Sequence, residues 1–201
     1  MNGQQGWFSQ WLGAGLVLVI GAAALVQQLP GRQPGPLSAG AETIPGTNGI
    51  PQPCTLDPPG FLRGRFFGAL DARIDWAGAG LGCSGMPRPD GQGTRLYFAH
   101  ELPGQGRLSV QISIEGPPAG LAAGEKPASV TIIDPSGRFF SSGGFGRCWA
   151  RISSVRRQPG TTDLRIEGLV YCVGALPSIQ DRTSLTLGDM HFAGRATIDV
   201  V

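Results

Sequence analysis

The sequence predicts an all-β domain of about eight antiparallel strands, arranged as a β-sandwich with a closed β-barrel as the alternative, behind one N-terminal transmembrane helix. Three observations carry that expectation. Residues 7–29 are the one long apolar stretch. The segments after residue 54 alternate apolar and polar with the period of two that marks a half-buried strand. The 33 glycines and 17 prolines fall between those segments, as turn residues do.

The apolar stretch is unbroken from Leu12 to Val26. A helix needs about 20 apolar residues to cross the hydrocarbon of a bilayer, and residues 7–29 meet that requirement with polar side chains only near their ends. Trp7, Phe8 and Trp11 suit the headgroup level, and Pro30-Gly31 stops a helix just beyond. A cleaved signal peptide is the competing reading. It would carry a basic leading region, which residues 1–31 lack, and the small-residue run Ser38-Ala39-Gly40-Ala41 lies far downstream for a cleavage site. The expectation is therefore an uncleaved anchor in the lipid bilayer. Arg32 alone orients it poorly. Residues 30–53 follow as a linker, with proline at 30, 34, 36, 45, 51 and 53 and no apolar period, which reads as a semi-extended spacer. The folded domain is expected over residues 54–201.

Formal net charge is +2, so nothing in the balance favours nucleic acid or an anionic lipid surface. All four cysteines, Cys54, Cys83, Cys148 and Cys172, lie beyond the anchor. No two have the C-x2-4-C spacing of a zinc site, so two disulfides in an oxidising compartment are the better reading. That reading also orients the anchor, placing the domain in the periplasm of a bacterium whose inner membrane holds the helix.

Within the domain, residues 62–76 alternate for 15 positions, with Leu62, Phe66, Ile74 and Trp76 on one side and Arg63, Arg65, Asp71, Arg73 and Asp75 on the other. This predicts one long strand that Gly64 and Gly68 let bend between two sheets or bulge. Leu81–Cys83 is a short piece, and residues 84–91 read as a loop because of their prolines and Asp-Gly. Residues 94–99 and 107–115 alternate again, residues 116–127 read as a loop, and strands at 129–133 and 138–140 flank Asp134-Pro-Ser-Gly137, which has the residue order of a type I turn. Residues 147–173 predict a hairpin about Pro159-Gly160-Thr161. If Gln158 opposes Thr162, Cys148 lands opposite Cys172, Trp149 opposite Tyr171, Ser153 opposite Glu167, Val155 opposite Arg165, and Arg157 opposite Asp163. Cys148–Cys172 and Cys54–Cys83 are the pairings this favours, among the three that four cysteines allow. The last strand, residues 184–200, shifts phase at Gly188-Asp189, the mark of a bulge.

The motif Cys83-Ser-Gly-Met-Pro-Arg-Pro-Asp-Gly91, with Cys148-Trp149 and Tyr171-Cys172, resembles exported, membrane-anchored bacterial proteins that carry no known activity. The resemblance therefore transfers no functional residues.

Standard catalytic signatures are missing: there is no G-x-S-x-G elbow, P-loop, H-E-x-x-H or EF-hand loop. His100 and His191 read as solvated side chains, and Gly143-Gly144-Phe145-Gly146 as a turn rather than an anion cradle. The arginines at 147, 151, 156, 157 and 165 read as a solvated face paired with Glu167 and Asp163. Trp149 and Tyr171, with Arg151 and Glu167 beside them, are the candidate surface, since paired rings with polar tips can stack on a sugar or anchor a protein. The competing view is that a loop or a second sheet covers both rings. The expected function is a non-enzymatic accessory subunit that docks on an envelope or membrane complex, with no cofactor and no metal. A tethered ligand-binding module, with a glycan as ligand, is the alternative, and an exported hydrolase is third.

Overall fold

The structure, a computed structural model, describes residues 52–198. The expected anchor at 7–29, nearly all of the linker at 30–53 and Val200 lie outside the described residues. The described residues form twelve strands: β1 Phe61–Gly68, β2 Ala72–Ala77, β3 Gly82–Pro87, β4 Gly93–Leu102, β5 Gly106–Glu115, β6 Gly124–Ile133, β7 Phe139–Ser141, β8 Cys148–Arg157, β9 Asp163–Cys172, β10 Leu176–Pro177, β11 Ser184–Leu187 and β12 Met190–Thr197. Every pairing is antiparallel. The hydrogen-bonded path is one open sheet in the order β10-β11-β1-β12-β9-β8-β6-β5-β4-β3, with β2 added on β1 and β7 on β6. The all-β, antiparallel expectation holds, while the strand count exceeds the eight anticipated. No helix among the described residues is long and apolar enough to cross a membrane.

Two strands change partner along their length, and these changes fold the sheet over its own core. β1 pairs with β12 through Phe61–Arg63 and with β11 through Phe66–Gly68. The switch falls at Gly64, where an added Cβ would lie 3.0 Å from the Asp189 carbonyl oxygen. Glycine is therefore what lets the neighbouring backbone come this close. β6 likewise pairs with β8 through Gly124–Ala128 and with β7 through Thr131–Ile133. A second contact joins β7 to the chain after β10, by the Phe140–Ser178 bridge and a 2.9 Å hydrogen bond from the Ile179 amide to the Phe139 carbonyl.

Across the core, β3 and β4 lie against β12. The Phe98 and Phe192 rings meet at 6.3 Å and 58°, a tilted arrangement that suits the aromatic quadrupole. A Cβ on Gly85 would fall 2.0 Å from the Arg195 carbonyl oxygen, and one on Gly194 would fall 2.6 Å from the Phe98 ring. One apolar cluster fills the interior, with Phe66, Phe98, Phe140 and Phe192 among its largest fully buried members. Both expected disulfides are present, Cys54–Cys83 and Cys148–Cys172, and no described cysteine is free.

Several elements differ from expectation for identifiable reasons. The alternation over 62–76 belongs to two strands, not one. β1 and β2 form a hairpin in which Leu62 opposes Trp76 and Gly64 opposes Ile74, so even residues face even residues and the phase survives the turn. β3 continues to Pro87 because it ends the path, where a proline without an N–H is tolerated. β6 begins at Gly124, with Glu125, Lys126 and Pro127 on β8 rather than in a loop. The β8–β9 register runs as expected from Cys148–Cys172 to Ile152–Gly168, then shifts by one at a bulge, so that Ser154 opposes Glu167, Val155 opposes Ile166, and Arg157 opposes Leu164. The bulge lets Val155 and Ile166, both at least partly buried, share a side. The phase change at Gly188-Asp189 is a break between β11 and β12, both of which return to β1.

Candidate functional site

Trp149 and Tyr171 stand opposite one another on β8 and β9, as anticipated, and stack with centroids 6.1 Å apart at 23°. Both are half-buried. Strand alternation drives this placement: Cys148 and Ala150 point into the core and are fully buried, so Trp149 must point outward. Pro127 on β6 lies opposite Trp149 on its other side.

The polar partner of the rings is one the sequence hid. Glu125, expected in a loop, accepts a 3.0 Å hydrogen bond from the Tyr171 hydroxyl and a 3.4 Å contact from Arg151. The carboxylate acceptor, together with desolvation and the carboxylate's charge, pushes the Tyr171 hydroxyl above the ordinary phenol value, since each opposes a phenolate. Arg151 therefore joins the ring pair through Glu125. Glu167 does not. It lies four residues before Tyr171 on β9, accepting 2.7 Å from Arg165 Nε and 3.3 Å from the Ser154 hydroxyl. Only the β6 pairing identifies Glu125, and Gly124 and Pro127 concealed that strand.

Arg165 corrects the expectation of a solvated arginine face. It is 4% exposed. Its guanidinium is shared among Glu167, the Pro58 carbonyl and, at 3.4 Å, the Pro59 carbonyl. Gln158 fastens the same segment, its side chain accepting from the Asp57 amide at 3.1 Å and donating to the Asp57 carbonyl at 3.2 Å. These two residues hold residues 57–59 against β9.

Neither histidine has a carboxylate at hydrogen-bonding distance. His100 donates through Nδ1 to the Gly80 carbonyl at 2.7 Å and stacks on Trp76 at 5.1 Å, so it is packed rather than solvated. It lines a hollow of about 330 Å³ with Glu101 and Arg107, which bond to each other at 2.5 Å. His191 is exposed on β12, between a hollow of about 440 Å³ and one of about 270 Å³.

The other groups with displaced pKa values serve turns. Burial of the Asp134 carboxyl opposes ionisation, but bonds from the Ser136 hydroxyl and from Arg138 outweigh it and hold the group below the ordinary aspartate value. With the 2.9 Å bond from the Gly137 amide to the Asp134 carbonyl, this is the turn expected at 134–137. Asp90 and Asp181 are lowered chiefly by hydrogen bonds from Gln92 and Thr183 respectively. In the Gly143–Gly146 loop, the Gly143 amide donates to the Ser141 hydroxyl and Arg88 covers the Phe145 ring at 4.8 Å, the features of a braced turn.

No family model, curated protein or solved structure matches the chain.

Proposed function

We propose that this chain is a membrane-tethered, non-enzymatic accessory subunit, held by residues 7–29 in a bacterial inner membrane with its domain in the periplasm, where it docks on an envelope or membrane complex. The observation that carries this reading is the Trp149–Tyr171 stack, left half-exposed on the outside of the sheet with Glu125 and Arg151 at its polar edge. Rings with large contact area and polar tips serve interfaces well. The two disulfides support an oxidising compartment. For the architecture we favour a β-sandwich in which β1 and β6 are the corner strands passing from one layer to the other.

Gentle detergent extraction of the native chain, followed by identification of everything that co-elutes, tests the proposal. A stoichiometric membrane protein is expected. Elution alone overturns the accessory reading. Loss of that partner in Trp149→Ala assigns it to the rings, and its retention assigns docking to another part of the chain.

A second reading, a tethered glycan-binding module, is favoured by one specific feature: the rings sit beside an Arg–Glu pair that offers donors and acceptors together without net charge.

A further inference from the structure

Resting on that second reading, we propose that the ring pair is one flank of an extended trough that takes an uncharged polysaccharide strand laid across the β-strands. The register places Asp75, Arg63, His191, Leu169, Arg151 and Glu125 in a single cross-strand row over β2, β1, β12, β9, β8 and β6. Five are exposed and Leu169 is half-buried. Five inter-strand steps at about 4.8 Å give the row a length of roughly 24 Å. Two hollows lie along it, about 440 Å³ beside Arg63 and Asp75 and about 270 Å³ beside Leu169 and Arg151. His191 lines both and joins them.

The chemistry along the row selects the ligand class. Each arginine is held by the acid next to it, Arg63 by Asp75 at 2.8 Å and Arg151 by Glu125 at 3.4 Å. The row's two arginines and two acids cancel, and each pair keeps free N–H donors and carboxylate lone pairs. Neighbouring hydroxyls on a sugar need that mixture of donors and acceptors. Beyond the row, the hollows add Arg65 and Arg73 and the carboxylates of Asp189 and Glu167, so four arginines still face four acids and a polyanion meets no excess of positive charge. A protein partner calls for a contiguous core depleted of charge, whereas four of six positions here are charged. Trp149 and Tyr171 flank the row on one side, and on the other Phe61 lines the smaller hollow with the Arg63 guanidinium over its ring at 4.9 Å.

The test is isothermal titration of the full chain in micelles of an amine-oxide detergent, which carries no sugar. The probes are malto-, cello- and chitohexaose, their disaccharides, and an alginate hexamer as an anionic counterpart. At least one neutral hexasaccharide is expected to bind tenfold or more tighter than its disaccharide. Arg63→Ala and His191→Ala, both at exposed positions and checked for unchanged melting, should lower hexasaccharide affinity to the disaccharide level and leave disaccharide affinity alone. Trp149→Ala should abolish both. Equal affinity for the two lengths, or hexasaccharide binding indifferent to Arg63 and His191, overturns the trough while leaving the ring pair as a sugar platform. Tighter binding of alginate overturns the uncharged class. If no sugar binds, the glycan reading falls together with the trough, and capture of a membrane protein by the same rings would account for them instead.

Discussion

Arg165 illustrates how much of this surface depends on individual residues. Five arginines, at 147, 151, 156, 157 and 165, crowd the β8–β9 hairpin, and nothing in their spacing separates the one that is buried. Its cross-strand neighbours Arg195 and Arg156 are also cationic, an arrangement that costs energy unless counter-ligands are supplied. Glu167, two residues on, and the carbonyls of Pro58 and Pro59, 107 and 106 residues away in sequence, supply them. Long-range partners of this kind leave no local trace, which is why Arg165 reads as solvated in the sequence. Arg165→Ala is expected to cost about 2 kcal/mol, because it leaves two carbonyls without their Arg165 donor and Glu167 with the Ser154 hydroxyl alone, with Glu167's partial exposure moderating the loss. Arg165→Lys should recover less than half, since an ammonium cannot reproduce the planar fork. Urea unfolding is the check: the midpoint should fall with the slope unchanged, and a wild-type midpoint for Arg165→Ala would show that residues 57–59 are held by Gln158 alone.

At the scale of elements, legibility followed the strength of the alternation. The β8–β9 hairpin was readable to Ile152 because Cys148, Ala150 and Ile152 match Cys172 and Val170 on one face, and a one-residue slip would reverse the strand. The bulge beyond Ile152 was not readable, since it answers to packing of Val155 and Ile166. β6 is legible only in its second half, because Pro127 and two charged residues mimic a loop, and Glu125 stays hidden in the first. Close approach of strands across the core was equally invisible, because a glycine that admits another backbone looks like a glycine in a turn. Gly85 and Gly144 separate the two roles. A methyl at Gly85 meets the Arg195 carbonyl oxygen at 2.0 Å, the Arg95 carbonyl oxygen at 2.9 Å and the Ala196 Cα at 3.0 Å, all of them backbone. Gly85→Ala must therefore part β3 from β12, and a loss of about 3 kcal/mol is expected. Gly144 has nothing within 4 Å of its added Cβ, so Gly144→Ala should be neutral or stabilise by a few tenths to about 1 kcal/mol, by restricting the unfolded chain. Thermal melting of the two variants together gives the comparison, and equal midpoints would refute the tight β3–β12 contact.

For the whole molecule, the disulfides are the constraint that sequence and structure share, and they differ in what they tie down. Cys148–Cys172 clamps the open end of a hairpin already paired along its length, whereas Cys54–Cys83 fastens the segment entering the domain to β3. Behind that second bond, a Cβ at Gly60 would lie 2.2 Å from Cys54 Sγ, so the entering chain is packed directly on the sulfur. On loop entropy each bond contributes about 3.5 kcal/mol, for separations of 24 and 29 residues. Their accessibility is unequal, because Cys54, Cys83 and Cys148 are buried while Cys172 is only half-buried. A reductant acting on the folded protein should therefore open Cys148–Cys172 first, at Cys172 Sγ, and reach Cys54–Cys83 only through opening of the core. Alkylation and mass mapping along a reduction time course would show carbamidomethyl groups at 148 and 172 before any at 54 and 83. The partly reduced species should melt below the oxidised protein yet keep its β-sheet signal, because the β8–β9 ladder survives loss of its clamp. Simultaneous labelling of all four cysteines would mean instead that the sheet opens as one unit, with the two covalent ties equally deep in a single cooperative core.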